Sequence, residues 1–551
     1  MTQLAAKSVA ELADALLAGL DAEQRAAATL PDGPALIIAP AGSGKTTTLI
    51  ARLGVLLSRG VPAERIAVAT FNRDAALELG ARIAARIVPV LPAASQIEVR
   101  TLHALARQIV LDRSGAGRLV SERLPLLRAV LRRAALEADP EGPPLPDAAA
   151  LDTEISAWKV ERRPPAHPAL VEGYRSLLAT RGLIDFDDLV VGAADSLEAD
   201  EALRAKWQAR FSHVCVDEFQ DVDAAQLRLV RLLAEPERSL FVVGDDDQTI
   251  YAWRLADVRR ILDFQTAYPG ARRVQLATNY RCPALVVGIS RRLIEVNQER
   301  FDKRIAPAPA RPMETDAVLA TSATGPDWAE RLVQLAAVEA HGGRTVCFLA
   351  RTRAELGPML VALARVGVQH ATAVPAAVQA ETVRRLIEGA RRLPGHLLPF
   401  QALLTLRAGL GWRRSDGTEA LGDDDHAALD ALLGWAVGIP RLDRFLEAHD
   451  LAVARLEALR RPDALVELVT VHGAKGREWQ TVVVLGMEEE RFPNRRALVD
   501  AVDPVRALEE ERRLAYVALT RATRRLILAF DPARPSRFLA EMGLMPRIVA
   551  R

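Results

Sequence analysis

The run Ala39-Pro-Ala-Gly-Ser-Gly-Lys-Thr46 has the chemistry of a phosphate cradle. Ala41, Gly42, Ser43 and Gly44 are small, so a backbone turning through them can aim its N–H groups at anionic oxygens. Lys45 would reach the outer phosphates, and the Thr46 hydroxyl suits Mg²⁺. Thr46 and Thr47 open a helix whose N-terminus adds partial positive charge. A second run, Val214-Cys-Val-Asp-Glu-Phe-Gln-Asp221, is apolar and then ends in adjacent acids. Asp217 would join the Mg²⁺ shell, and Glu218 would polarise a water aimed at the γ-phosphorus. A phosphate loop followed by a carboxylate pair points to hydrolysis of a nucleoside triphosphate.

Such residues need parallel strands to present them at one edge of a sheet. Ala39 stands where the common GxxxxGK[ST] pattern has glycine, but an apolar strand over Ala35–Ala39 and a helix over Thr46–Leu57 flank the loop in the required order. Further strands are expected at Ile66–Thr70, Val214–Val216, Leu240–Val243, Val274–Leu276, Val346–Leu349, Val466–Val471, Val482–Leu485 and Leu526–Phe530. They are continuous apolar runs, the pattern of parallel strands covered on both faces, with helical stretches between them. Two segments break the alternation. Leu102–Leu183 is helical with proline-rich breaks at Glu141–Pro146 and Arg163–Pro168. Ala376–Pro462 is helical with an acidic turn at Asp423–Asp425.

Composition narrows the class. The 551 residues are 50% hydrophobic and 26% charged, which suits several soluble globular domains and not a disordered chain. No apolar run is long enough to span a membrane, and Glu11 and Asp14 interrupt the stretch a signal peptide would need. Cys215, Cys282 and Cys347 form no metal-type or disulfide-type pair, so a reducing cytoplasm is expected. The net charge of +1 excludes a uniformly basic coat but not a local basic channel. Six residues are lysine (Lys7, Lys45, Lys159, Lys206, Lys303, Lys475), and the other 66 of the 72 basic residues are arginine. A compositional bias toward arginine accounts for the imbalance. The surviving lysines are nonetheless worth inspecting, since arginine cannot replace a compact ammonium everywhere.

The ordered motifs resemble those of the UvrD/PcrA/Rep group of superfamily 1 DNA helicases. Asp21-Ala-Glu-Gln-Arg25 is similar to the family's adenine-reading motif. Thr70-Phe-Asn-Arg-Asp-Ala-Ala76 and Thr101-Leu-His103 are similar to its DNA-contacting segments. Asp185-Phe-Asp-Asp188, Val243-Gly-Asp-Asp-Asp-Gln-Thr-Ile-Tyr-Ala-Trp-Arg254 and Asn279-Tyr-Arg281 follow in order. Val471-His-Gly-Ala-Lys-Gly-Arg-Glu-Trp479 and Glu509-Glu-Glu-Arg-Arg-Leu-Ala-Tyr-Val-Ala-Leu-Thr-Arg-Ala522 complete the set.

The resemblance implies an α/β fold of two RecA-like P-loop domains, mostly parallel sheets, each with a helical insertion, with ATP in the cleft between them. The first domain would be 1–100 plus 184–273, with insertion 101–183. The second would be 274–375 plus 463–551, with a reduced insertion 376–462. The resemblance also implies that Gln24 reads the adenine edge, Tyr280 stacks on its face and Glu478 contacts the sugar side. Gln248 would sense the γ-phosphate, and Arg281 and Arg521 would be arginine fingers. ATP and Mg²⁺ are the implied cofactors. Phe71, Tyr251 and Trp253 would stack on single-stranded DNA, with Thr101, His103, Arg254, His472 and Lys475 nearby. Stacking on aromatic faces tolerates any base, as a translocating motor requires.

Three departures from the family refine the expectation. The stretch between Arg281 and His472 is short. Leu526-Ile-Leu-Ala-Phe530 runs through Asp531–Pro535 almost directly into Ser536-Arg-Phe538, where relatives insert a strand-separating hairpin. Glu490 stands where glycine is usual. The expectation is a DNA-dependent ATPase and 3′→5′ translocase for DNA repair or recombination. It would act on single-stranded and 3′-tailed duplex DNA, unwind weakly as a monomer, and draw on a repair-protein partner or a second copy. Two rivals stand beside it: the helicase subunit of a recombination nuclease complex, and a nucleotide-gated DNA-binding module without processive unwinding. The chain ends at Arg551 with no nuclease segment after Arg521, so the first rival would need another subunit. A P-loop kinase would leave Tyr251, Trp253 and the paired arginines unexplained.

Overall fold

The computed structural model describes residues 3–114, 117–137, 144–235, 239–309, 316–325, 327–372, 381–409, 429, 432–433 and 435–544. The acidic turn expected at Asp423–Asp425 lies outside them, as do some residues of the break at Glu141–Pro146. The chain divides into two compact units. Unit 1 is Met1–Asn279 with Glu299–Ile305, and unit 2 is Tyr280–Gln298 with Ala306–Arg551.

Unit 1 holds strands β1 (Ala35–Ile38), β2 (Ile66–Thr70), β3 (Glu98–Thr101), β4 (Arg118–Leu119), β5 (Leu183–Ile184), β6 (His213–Val216), β7 (Ser239–Gly244), β8 (Arg272–Gln275) and β9 (Thr278–Asn279). Six of these form one parallel sheet in the order β3-β2-β6-β7-β1-β8. Alternate residues of its strands enter two cores. Leu36, Ile38, Val214, Val216, Leu240 and Val242 face one, and Ala35, Ile37, Cys215, Phe241 and Val243 face the other. Burial on both faces is why these strands read as unbroken apolar runs. The helices Leu102–Ser114, Leu124–Glu137, Ala148–Glu161 and Pro168–Thr180 occupy the expected insertion, and the last three gather a core of their own around Leu127, Leu151, Ile155 and Tyr174.

Unit 2 holds β10 (Ala306–Pro307), β11 (Val318–Ser322), β12 (Val346–Ala350), β13 (Ala371–Thr372), β14 (Val466–Thr470), β15 (Trp479–Val484) and β16 (Ala522–Phe530). Its six-stranded sheet runs β11-β16-β15-β12-β14-β13, again parallel. Helices Glu381–Ala390, Pro399–Gly409 and Leu442–Leu459 supply a separate core around Leu386, Leu403 and Phe445. Both units are thus parallel α/β layers with helical insertions.

Several expectations move. The expected domain line between 273 and 274 cuts β8, which pairs with β1 in the first sheet, and unit 1 runs on to Asn279. The chain then returns to unit 1 at Glu299–Ile305, a seven-residue visit that no apolar pattern signals. The edge strands β3 and β11 give no apolar run in the sequence, because Glu98, Arg100, Thr321 and Ser322 interrupt it. Glu490 has φ +72, the left-handed region that favours glycine, which gives the family's usual residue a backbone reason. No hairpin intervenes between Arg521 and Ser536: β16 starts at Ala522, and a short turn leads from Phe530 to the helix Arg537–Glu541. The three cysteines are buried and form no disulfide. No helix among the described residues is long and apolar enough to cross a membrane.

Candidate functional site

In unit 1 the phosphate loop leaves the end of β1 and enters the helix Lys45–Ser58, one residue earlier than expected. Gly42 and Gly44 have φ of +71 and +82. At Gly44 the positive φ favours glycine, and a Cβ there would stand 2.5 Å from Nε2 of Gln24 and displace it from the loop. Two side-chain amides brace the loop from outside: Gln24 Nε2 donates to the Ser43 carbonyl at 2.8 Å, and Asn279 Nδ2 donates to the Ala41 carbonyl at 2.8 Å. Occupying the carbonyls this way fixes the plane of each peptide and hence its N–H direction.

Gln24 thus has a structural task beside its expected one. Its Oε1 accepts from the Asp21 amide at 3.2 Å in a capping box, and its other end holds the loop, so both ends of the amide are engaged. These bonds use one N–H and one lone pair of the amide, which leaves a second N–H and a second lone pair for an adenine edge. Asn279 belongs to a recognised motif, but its bracing of a loop 238 residues away is not readable from spacing.

The strand β6 ends at Val216 and delivers Asp217 and Glu218. Lys45 Nζ lies 3.8 Å from Glu218 Oε1. Glu218 has φ +52, an uncommon conformation for a side chain of its size, of the kind that collects at functional sites. Asp217 Oδ1 accepts from the Glu218 amide at 2.9 Å. Burial, followed by the Glu218 charge, pushes the Asp217 carboxyl up to about 7. A cation beside it would reverse that shift. The hydroxyl of Thr46 and the carboxylate of Asp217 are hard oxygen donors of the kind Mg²⁺ accepts, with water and phosphate completing the shell.

A polar chain runs on from here. Gln220, fully buried, donates its Nε2 to Glu218 Oε2 and accepts from the Asp245 amide at 3.0 Å. Asp245 Oδ2 in turn accepts from Gln248 Nε2 at 2.6 Å. The carboxylate pair and the expected γ-phosphate sensor are thus linked through Gln220, to which sequence reasoning assigns no role.

The same loop continues to the aromatics. Phe71, just past β2, stacks on Tyr251 with ring centroids 4.9 Å apart and planes 21° apart. Tyr251 meets Trp253 edge-on at 6.3 Å, and the Arg254 guanidinium lies over the Trp253 ring at 4.6 Å. Trp253 is 60% exposed, which excludes a core-packing role. His103 sits edge-on to Phe186 at 5.9 Å, and burial lowers its pKa, so it acts as a neutral ring. Thr101 Oγ1 accepts from the Ala104 amide at 3.1 Å and so caps the helix Leu102–Ser114, a structural task beyond the one expected.

Unit 2 gathers a second group. Arg281 Nε pairs with Glu478 Oε2 at 2.6 Å, and Arg281 Nη1 donates to the Thr520 carbonyl at 3.5 Å. Glu478, expected against a sugar, is here the counter-ion of an expected finger, because the turn after β14 brings opposite charges together. Arg521 is 1% exposed. Its Nε donates to the Val517 carbonyl at 2.9 Å, and its Nη2 to Thr520 Oγ1 at 3.1 Å. Upstream, on the helix Pro504–Leu519, Glu509 and Arg513 stand four residues apart, pair at 3.3 Å and are buried. Tyr280 is 41% exposed. His472 and Lys475 lie on the turn following β14. Burial, then Arg351 and Lys475, pulls His472 down to about 4, so it too is neutral near pH 7.

A glycine-rich loop at the end of an interior parallel strand, with a carboxylate pair after another strand and a glutamine on a third loop, defines a P-loop nucleoside triphosphatase. Comparison with known proteins narrows the class. A model of the UvrD/REP helicase N-terminal domain matches residues 20–124 and 147–269, and one of the UvrD-like helicase C-terminal domain matches residues 420–531. The ATP-dependent DNA helicase UvrD2 of Mycobacterium tuberculosis is 30% identical over 97% of this chain and 83% of its own length. The ATP-dependent DNA helicase PcrA of Staphylococcus aureus is 26% identical over 96% of this chain and 87% of its own length. The PcrA of Leuconostoc citreum is 26% identical over 96% and 85%. This chain belongs to the UvrD/Rep helicase family and is an ATP-dependent DNA helicase. The alignment with UvrD2 spans 620 positions, more than the 551 residues here, so that relative carries internal segments without a counterpart in this chain.

Proposed function

We propose that the chain is a 3′→5′ single-stranded DNA translocase acting in DNA repair or recombination in the cytoplasm, with limited unwinding as a monomer. In this reading Lys45 and the backbone from Ala41 to Thr47 bind the triphosphate. Thr46 and Asp217 hold Mg²⁺, which neutralises charge on the β- and γ-phosphates when bound. Glu218 orients and deprotonates the attacking water, and Gln248 registers the γ-phosphate. Arg281 and Arg521 of unit 2 stabilise the charge that develops on the transferred group. Tyr280 stacks on the base, Gln24 reads its edge and Glu478 contacts the sugar side.

The observation that carries the reading is the continuity of one loop. Gln248 is hydrogen-bonded to Asp245, and Tyr251 and Trp253, a few residues on, present a stacked platform with Phe71. A change at the γ-phosphate reaches the base-stacking surface through a short run of backbone. His103, Arg254, His472 and Lys475 flank the strand's path, the neutral histidines offering stacking and hydrogen bonds rather than charge. Trp253→Ala is expected to remove most DNA stimulation of the ATPase while the affinity for a fluorescent ATP analogue stays nearly unchanged. The loss of one stack corresponds to about 1–3 kcal/mol of strand binding. Equal loss of both properties would count against a separate DNA platform.

Direct passage from β16 into the helix Arg537–Glu541 supports limited unwinding, since no hairpin stands at that point of the chain to wedge a duplex open. In a single-turnover strand-displacement assay on a 3′-tailed duplex, the monomer is expected to release little product. Arrival of the same preparation at a labelled 5′ end should be rapid. Fast displacement by the monomer would remove this element of the proposal, and arrival at the 3′ end instead would reverse the polarity.

A further inference from the structure

The segment Glu299–Ile305 closes a fully buried charge cluster in unit 1. The side chains of Lys303, Asp245, Asp246 and Asp247 are all fully buried. Lys303 Nζ lies 2.7 Å from Asp245 Oδ1 and 3.0 Å from Asp247 Oδ2, and it also pairs with Asp246. Arg300 grips both oxygens of Asp247, Nε at 3.0 Å and Nη2 at 2.9 Å. The Phe301 amide donates to Asp246 Oδ2 at 2.9 Å. Three consecutive carboxylates of the sensor loop are therefore held by seven residues that enter unit 1 from Gln298 and leave it into Ala306, both in unit 2.

Stability alone is a weak reason for this arrangement, because buried ion clusters are often no more stable than apolar packing of the same shape. What the cluster supplies is a fixed geometry around Asp245. One carboxylate oxygen of Asp245 receives Lys303 and the other receives Gln248, while its backbone N–H reaches Glu218 through Gln220. Burial opposes the charge on Lys303, but the three aspartates outweigh it and keep the ammonium protonated. A lysine is the side chain that fits, since one compact ammonium meets three carboxylates at once where a planar guanidinium would not.

We propose that Lys303 and Arg300 are positioning residues that couple the triphosphate site to the chain crossings between the units. When Gln248 changes partner, Asp245 rebalances between Gln248 and Lys303, and the strain passes into Glu299–Ile305. This rests on the reading of Gln248 as the γ-phosphate sensor in a DNA-stimulated ATPase.

The test uses the full-length double variant Lys303→Met with Asp246→Asn, which keeps the net charge of the cluster. The expected result is a cooperatively folded protein with ATP KM within about threefold of wild type and DNA-stimulated kcat reduced about tenfold or more, in the range of typical coupling energies. Retention of DNA-stimulated kcat within about twofold would overturn the proposal. A second measurement needs no variant. Hydrogen exchange of the Phe301 amide in the wild-type chain should differ between a non-hydrolysable ATP analogue and ADP by about fivefold or more. Equal exchange in the two states overturns the coupling even if the variant fails to fold. A wild-type ATPase indifferent to DNA would instead overturn the underlying reading, so the two failures are distinguishable.

Discussion

Glu218→Gln is expected to lower kcat by about 10²–10⁴-fold, the range that general-base catalysis contributes, with ATP affinity nearly intact. The substitution keeps volume and shape and removes the negative charge, and with it the ability to accept a proton as a carboxylate. The structure makes it a clean test. Glu218 projects from the end of the buried strand β6 with φ +52, and Gln220 fixes one of its oxygens. The other oxygen lies 3.8 Å from Lys45, so it borders the space a γ-phosphate would enter. Losing the Lys45 pairing should tighten nucleotide binding slightly, because the ammonium no longer divides its charge between Glu218 and phosphate. Rapid-quench single-turnover kinetics with a fluorescent-nucleotide titration separates the two effects. A variant that hydrolyses ATP at the wild-type rate would leave Glu218 as a structural partner of Lys45 and Gln220, and would move the search for the base to Asp217.

Much of this arrangement is legible before any coordinates, and the reasons differ by residue. Strands such as Ala35–Ile38 and Val346–Ala350 announce themselves because both of their faces are buried, leaving no polar position. The edge strand Glu98–Thr101 does not, because its exposed Arg100 costs nothing where one side faces solvent. Local motifs fix which residues meet phosphate, since loop, lysine and helix are contiguous. Contacts made across the chain are another matter. Nothing in the spacing says that Asn279 braces Ala41, or that Gln24 turns inward against Gly44. The one sequence signal for the hidden charge clusters is the scarcity of lysine. Lys303 lies among Asp245, Asp246 and Asp247, and the buried Lys159 bridges Asp185 and Asp188. In a chain that otherwise uses arginine, each marks a site too tight for a guanidinium.

Arg521→Ala is expected to reduce DNA-stimulated kcat by about 10³-fold or more, the scale of an arginine finger in nucleoside triphosphatases. The structure also makes this the prediction most open to confusion. Arg521 is buried to 1% exposure, and its Nε holds the Val517 carbonyl at the end of the helix Pro504–Leu519, so truncation removes packing as well as charge. Arg521→Lys separates the two effects. It retains the charge and most of the volume but loses the fork that lets one arm grip Val517 while another turns to phosphate. A finger therefore predicts that the lysine variant stays folded, with a melting temperature close to wild type, and still loses most of its rate. Arg281 offers the internal comparison, because it is less buried than Arg521 and its partner Glu478 is half exposed. Arg281→Ala should lower kcat without a comparable loss of stability. If Arg521→Lys instead retains kcat per folded molecule, Arg521 serves to tie Val517 and Thr520 at the helix end, and the transition-state charge is met by Arg281 alone.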